Sequence, residues 1–201
     1  MVASVDHSSS RLADVLAKEN ADVMLLRRVA DKDRKAFEIL YRNYYRRLVR
    51  FLDKVMRQPE LMEEVLDDTM LVVWQSAASF AGASRVSTWI FGIAYRKAMN
   101  SIGRERRHQL PTEWLKPDDF LGDQPGPEDN LMNQESEQQL TILLGQLSPE
   151  HRAVIELTYY FGYAYAEIAG IVGCPVDTVK TRMFYARRKL RALFAAQQGQ
   201  R

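Results

Sequence analysis

From Phe37 to Val55 the apolar side chains return at steps of three and four: Phe37, Leu40, Tyr41, Tyr44, Leu48, Phe51, Leu52 and Val55. That spacing collects them into one stripe on a helix and on neither face of a strand. The helical pattern begins near Asp22, and Pro59 both ends this helix and opens the next. The second helix runs to about Ala78 and carries Leu61, Val65, Thr69, Val72 and Val73. Phe80 to Val86 (FAGASRV) reads as a loop. Ser87 or Thr88 is expected to cap a further helix from Trp89 to about Arg107, with Ile90, Ile93, Ala94, Ala98 and Ile102 as its core stripe. Nowhere do β-branched residues alternate over a run bounded by turns, so the predicted fold class is all-α.

Pro111, Pro117, Pro125 and Pro127 interrupt this pattern in a stretch rich in acids, which has the composition of a linker. Leu140, Leu143, Leu144 and Leu147 then begin a second helical unit. Ser148 followed by Pro149 is a helix start, leading into Val154, Ile155 and Leu157. The expected organisation is therefore two small helical domains, 21–108 and 128–196, joined by an acidic proline-rich linker over 109–127. A flexible arm or a short added helix is expected over 1–20, and a short tail over 197–201.

Composition narrows the function. The 201 residues are 46% apolar and 27% charged, enough for real cores. No run approaches the roughly 20 apolar residues that span a bilayer, and no secretory signal is visible at the start. Cys174 is the only cysteine, accompanied by three histidines, so neither a disulfide nor a Cys/His metal site is expected. A cytoplasmic protein without a cofactor is the natural reading. The net charge of +2 hides a sorting into blocks. Arg27 to Arg57 is basic, Gln109 to Gln139 acidic, and everything charged after Asp177 basic. Segments sorted in this way suit different partners, although solvated helix faces also carry dense charge.

Tyr165 to Arg188 (YAEIAGIVGCPVDTVKTRMFYARR) has the layout of a helix-turn-helix. Ile168, Val172 and Val179 fall where the helices bury contacts, Ala169 where they approach closely, and Gly173 where the turn needs a permissive backbone. Pro175 can start the second helix, which presents Lys180, Thr181, Arg182, Phe184, Tyr185, Arg187 and Arg188. A helix in the major groove reads bases with such residues near its start and clamps phosphates with the basic ones beyond. The bland alternative is a helical hairpin with a basic solvent face.

Two further constellations stand out. Glu63 faces Asp67, and Glu64 faces Asp68, each at i, i+4. Like charges at that spacing cost an isolated helix a few tenths of a kcal/mol, so a basic protein partner is expected, with a merely soluble face as the alternative. Acid–base catalysis is a poorer reading, because no nucleophile or histidine accompanies the carboxylates. Trp89, Arg96, Asn100, Arg104 and Arg107 line one stripe away from the core of their helix. Stacking surface, cation and amide together suit single-stranded nucleic acid, whereas Trp89 alone is more often a core residue.

Taken together, STWIFGIAYRKAMN (87–100), YAEIAGIVGCPVDTVKTR (165–182) and the acidic LMEEVLDDTMLVVW (61–74), in this order around an acidic linker, resemble a bacterial sigma factor of the extracytoplasmic-function type. The resemblance spans Met24 to Phe194. It implies core RNA polymerase and promoter DNA as partners, and leaves room for an anti-sigma protein that the sequence does not disclose. Glu63, Glu64, Asp67, Asp68 and Leu71 match the family's polymerase-binding helix. Phe80 to Val86, with Phe80, Ser84 and Arg85, matches the loop that captures a flipped −10 base, and Trp89, Arg96 and Asn100 match the melting helix. Lys180, Thr181, Phe184 and Tyr185 match the −35 readers, with Arg182, Arg187 and Arg188 as phosphate contacts. The linker matches the segment that relatives thread along the polymerase's RNA path. A sigma factor so identified has no catalytic site of its own.

Two residues depart from the pattern. Ala164 stands where a capping Ser or Thr is usual, at a cost of roughly 1 kcal/mol. Asp177 stands where glycine is common, and its carboxylate repels phosphate or accepts from a cytosine amino group. The rival reading is a helix-turn-helix regulator with a helical sensing domain, which leaves the acidic helix and the Trp89 stripe without a role.

Overall fold

The computed structural model describes the backbone of residues 6–109 and 141–198, with side chains over 16–107 and 141–196. Helix α1 (Asp6–Ala30) meets α2 (Arg34–Met56) at a tight break. Lys32 takes the left-handed conformation there, and Asp33 caps α2 by accepting from the N–H groups of Lys35 and Ala36 at 2.9 and 3.1 Å. The Arg28 guanidinium, 2.6 Å away, and then the Ala36 N–H hold the Asp33 carboxyl below its ordinary range. Helix α3 (Pro59–Ser76) starts on its proline. A 3-10 turn (Ala77–Ser79) leads to the loop before α4 (Val86–Gln109). The second half contributes the helical residues 141–145 (α5), α6 (Pro149–Tyr159), α7 (Tyr165–Val172) and α8 (Val176–Gln198). Among the described residues there is no strand, as the apolar spacing predicts.

Two sequence expectations change in the structure. Residues 6–20, expected as a flexible arm or a short added helix, are helical and form the start of α1. This helix is held in place by Glu19, which accepts from the Val86 N–H at 2.7 Å, and by Asp22, which accepts from the Tyr44 hydroxyl at 2.6 Å. Ser87 and Thr88 lie inside the first turn of α4 and do not cap it. Its first free N–H is satisfied by Glu19, a partner 67 residues upstream that no local pattern reveals. The linker of 109–127, the start of the second unit at 128 and the tail of 197–201 lie almost wholly outside the described residues.

The two helical units do not stand apart. Helices α1 to α4 pack on one another, α6 to α8 likewise, and α4 then lies on α7 while α2 lies on α6. A continuous hydrophobic core runs through both. The reason lies in α4, which is apolar on two sides. Besides its stripe of Ile90, Ile93, Ala94, Ala98 and Ile102, it buries Phe91 and Tyr95. Phe91 packs edge-on against Phe161 and Tyr163, with centroids 5.0 and 5.7 Å away. Complete burial of such a ring contributes about 1.5–3 kcal/mol relative to exposure.

Candidate nucleic-acid interface

The helix-turn-helix closes through Gly173, whose φ of 68° is the left-handed conformation that favours glycine, and whose N–H bonds the Ala169 carbonyl. Ala164 precedes α7 without a side-chain cap. Half of a capping box survives, because Glu167 reaches back to accept from the Ala164 N–H at 3.0 Å. Val179, Met183 and Ala186 bury one side of α8. The opposite side is open: Lys180, Thr181, Arg187 and Arg188 are exposed, and Phe184 and Tyr185 retain 62% and 51% of their surface. Two large aromatic rings on a free helix face, flanked by cations, offer apolar contact for thymine methyls and charge for phosphates.

Three members of the expected set are engaged elsewhere. Lys180 is paired with Asp177 at 2.9 Å, one turn back on the same helix. Thr181 likewise donates its hydroxyl to the Asp177 carbonyl at 2.9 Å. Arg182 sits three residues after Val179 and so falls toward the buried side, against Tyr95 of α4. Burial raises the Tyr95 hydroxyl pKa, and the Arg182 cation partly offsets that rise. Sequence spacing contained this signal, since Val179 and Met183 bracket Arg182 on one face.

At the other end, Phe80 closes its loop by packing on Trp89, with centroids 5.5 Å apart. Trp89 is half-buried by this contact, while Arg96 and Asn100 are exposed farther along the same stripe. Beneath the loop lies a cleft of about 650 Å³ lined by Val23, Leu26, Arg27, Ala77, Phe80 and Arg85, among others. It is mainly apolar with cations at the rim, and it has room for an unstacked base. Its α1 wall, Val23 to Arg27, carried no motif. Ser84 stays on the loop, its hydroxyl against the Arg85 carbonyl. Arg85, at the rim of the cleft, pairs with Glu167 of α7 at 3.1 Å.

The acidic constellation separates into two pairs. Asp68 is bound to Lys97 at 2.9 Å and Glu64 to Arg104 at 3.4 Å, both on α4. Both pairs are partly or fully exposed, so each adds at most about 1 kcal/mol to the fold. Glu63 and Asp67 are exposed. Asp67 accepts from the Tyr41 hydroxyl at 3.3 Å, at the edge of an open groove formed by Arg34, Phe37, Met70, Leu71 and Trp74. Leu71 is 51% exposed there. An apolar floor with an acidic edge suits a helix bearing basic residues.

Two family models match the chain in the same order as these surfaces. Sigma-70 region 2 covers residues 40–108, and Sigma-70 region 4 covers residues 137–190. The chain belongs to the sigma-70 family. Its relatives place it in the extracytoplasmic-function branch. It is 28% identical over 183 residues to the ECF RNA polymerase sigma-E factor of Haemophilus influenzae, covering 87% of this chain and 96% of that one. Among solved structures, the fold resembles CnrH in complex with the cytosolic domain of CnrY (TM-score 0.64, 24% identity, 88% of this chain and 98% of that one). It also resembles the sigma factor RpoE in complex with the anti-sigma factor NepR from Bartonella quintana (TM-score 0.62, 23% identity, 80% and 98%). Sigma factors are non-catalytic subunits of RNA polymerase that direct promoter-specific transcription. Among the described residues of this sigma factor, no helix is long and apolar enough to cross a membrane.

Proposed function

We propose that this sigma factor binds core polymerase along the groove edged by Glu63, Asp67 and Leu71, with Glu64 and Asp68 holding α3 against α4. It reads the −35 element as duplex with Lys180, Thr181, Phe184 and Tyr185, while Arg187 and Arg188 hold phosphates. It opens the −10 element with Phe80, Ser84, Arg85, Trp89, Arg96 and Asn100, an unstacked base entering the cleft under the loop. Arg182 contributes to −35 binding only after leaving Tyr95. The acidic segment between the domains follows the polymerase's RNA path. The chain carries no catalytic site in this reading, the polymerase supplies all the chemistry, and both act in the cytoplasm. Because one structurally similar sigma factor is described in complex with an anti-sigma factor, a protein of that kind is a further partner.

The supporting observation is the free face of α8, where Phe184 and Tyr185 stand exposed among cations. Run-off transcription on a promoter library with purified core polymerase tests the assignment. Selective transcripts that fall with Trp89→Ala and lose −35 selectivity with Lys180→Ala support it. Duplex binding without polymerase association would make the chain an ordinary helix-turn-helix regulator.

A further inference from the structure

The end of α2, α5 and the first turns of α6 enclose a cavity of about 260 Å³. Lys54 and Arg57 line it from α2, Gly145 from α5, and Arg152 and Glu156 from α6. None of its lining residues belongs to the promoter or polymerase surfaces described above. Pockets for drug-sized ligands begin near 300 Å³, so this one suits a smaller molecule.

The charges around the cavity do not balance. Asp53 is paired with Lys54 at 3.1 Å, and Glu156 lies 4.0 Å from Arg50. Burial also raises the Glu156 pKa, which favours its uncharged form. With both lining carboxylates answered, Arg57 and Arg152 are left without one among the described residues. Arg152 is only 8% exposed. It donates to the Gly145 carbonyl at 3.1 Å and to the Val55 carbonyl at 2.8 Å, but among the described residues no group accepts from its Nε. A guanidinium that merely caps α5 would account for the carbonyl bonds and not for the missing counter-charge. Burial first, and then the Arg57 and Arg106 cations, lower the Arg152 pKa to about 10. A buried cation in a field of like charge is destabilised unless an anion joins it.

Arg57 is set for the same role. It takes the left-handed conformation at the end of α2, with φ of 56°. Its guanidinium occupies the place where a Cβ on Gly145 would stand. Glycine at 145 is therefore what admits Arg57 to the cavity wall.

We propose that this cavity binds a small phosphate-bearing anion, held between the guanidinium groups of Arg57 and Arg152. Two unmatched cations call for a dianion, which a phosphate group approaches at neutral pH and a single carboxylate does not. Planar guanidinium groups also match phosphate oxygens with paired hydrogen bonds. The ligand is free phosphate or a short phosphate monoester, a small molecule for a chain whose other partners are macromolecules.

Full-length protein in chloride buffer is titrated by calorimetry with inorganic phosphate and, separately, with glycerol 3-phosphate. Wild type should bind one equivalent saturably and melt at a higher temperature with the anion present. Arg57→Asn removes one cation from an exposed position and tolerates the left-handed conformation. Gly145→Ala displaces the Arg57 guanidinium while favouring the helix. Both variants should stay folded by their melting curves and bind at least tenfold more weakly. Arg46→Gln, which removes an exposed cation elsewhere on α2, should bind as wild type does. Tighter binding of glycerol 3-phosphate assigns an organic monoester, tighter binding of phosphate assigns the free anion, and either supports the site. No saturable binding to wild type, or wild-type affinity in either cavity variant, overturns it. Equal weakening by Arg46→Gln also overturns it, because that would mark general attraction to a basic surface.

Discussion

The carboxylate of Glu19 accepts from the backbone N–H of Val86 at 2.7 Å, so α4 is capped by a residue of the first helix. Glu19→Ala should remove about 1 kcal/mol of stability, the usual worth of an N-terminal cap, and Glu19→Gln should restore most of it because an amide oxygen still accepts. Urea unfolding gives the magnitude. Hydrogen exchange at Val86 to Trp89 gives the location, and exchange unchanged in Glu19→Ala would show that water caps α4 equally well.

The division of the acidic helix makes a sharper test than reversing all four charges. Asp67→Lys should weaken core polymerase binding tenfold or more, about 1.4 kcal/mol, while leaving the melting temperature in place. Asp68→Lys should lower stability by up to about 1 kcal/mol, since it places a cation beside Lys97 in a partly exposed pair. Equal losses of polymerase affinity and stability in both variants would return the cluster to a purely structural role.

On α8, Lys180→Ala should cost on the order of 1–3 kcal/mol and relax preference at one or two −35 positions, as expected for a base contact. Arg188→Ala should weaken all sequences alike and lower the salt slope by about one. The ion pair between Lys180 and Asp177 adds a third arm. Asp177→Ala frees the lysine and removes an anion near phosphate, so affinity should rise. Duplex-library binding at two salt concentrations reads all three, and a Lys180→Ala chain with unchanged sequence ranking would remove that residue from the groove.

His151 should make the fold sensitive to mild acid. Burial holds its pKa below the ordinary 6.5, with Glu150 opposing and Arg182 and Lys189 reinforcing the shift. A depressed folded pKa means that the unfolded chain binds the proton more readily. Stability is then complete above about pH 6.5 and declines as pH falls through the folded value. Glu156 works in the opposite sense, since burial raises its pKa, but this contribution cancels when wild type is compared with His151→Gln. Between pH 7.5 and 5.5 the urea midpoint should fall less in His151→Gln than in wild type. Parallel curves would mean that the imidazole is as well solvated folded as unfolded.

What could be read from the residues was whatever repeats within one helix. The stripe of α2, the proline starts of α3 and α6, the Ser148 cap and the Gly173 turn were all legible because their partners lie within a few positions. The free face of α8 was legible for the same reason. Glu19 with Val86, Arg152 with Val55 and Arg85 with Glu167 were not, because each joins helices far apart in sequence. Phe91 and Tyr95 were overlooked as core because a single stripe already accounted for α4, and a helix buried on two sides shows no clear period.

The contact between Phe91 and Phe161 also has a meaning in time. The ribosome finishes Phe161 seventy residues after Phe91, a delay of roughly 4–14 s at 5–20 residues per second. Throughout that interval the nascent chain presents an aromatic face whose eventual cover has not been made. Any protein that reaches this face before α7 is translated meets no competitor from within the chain.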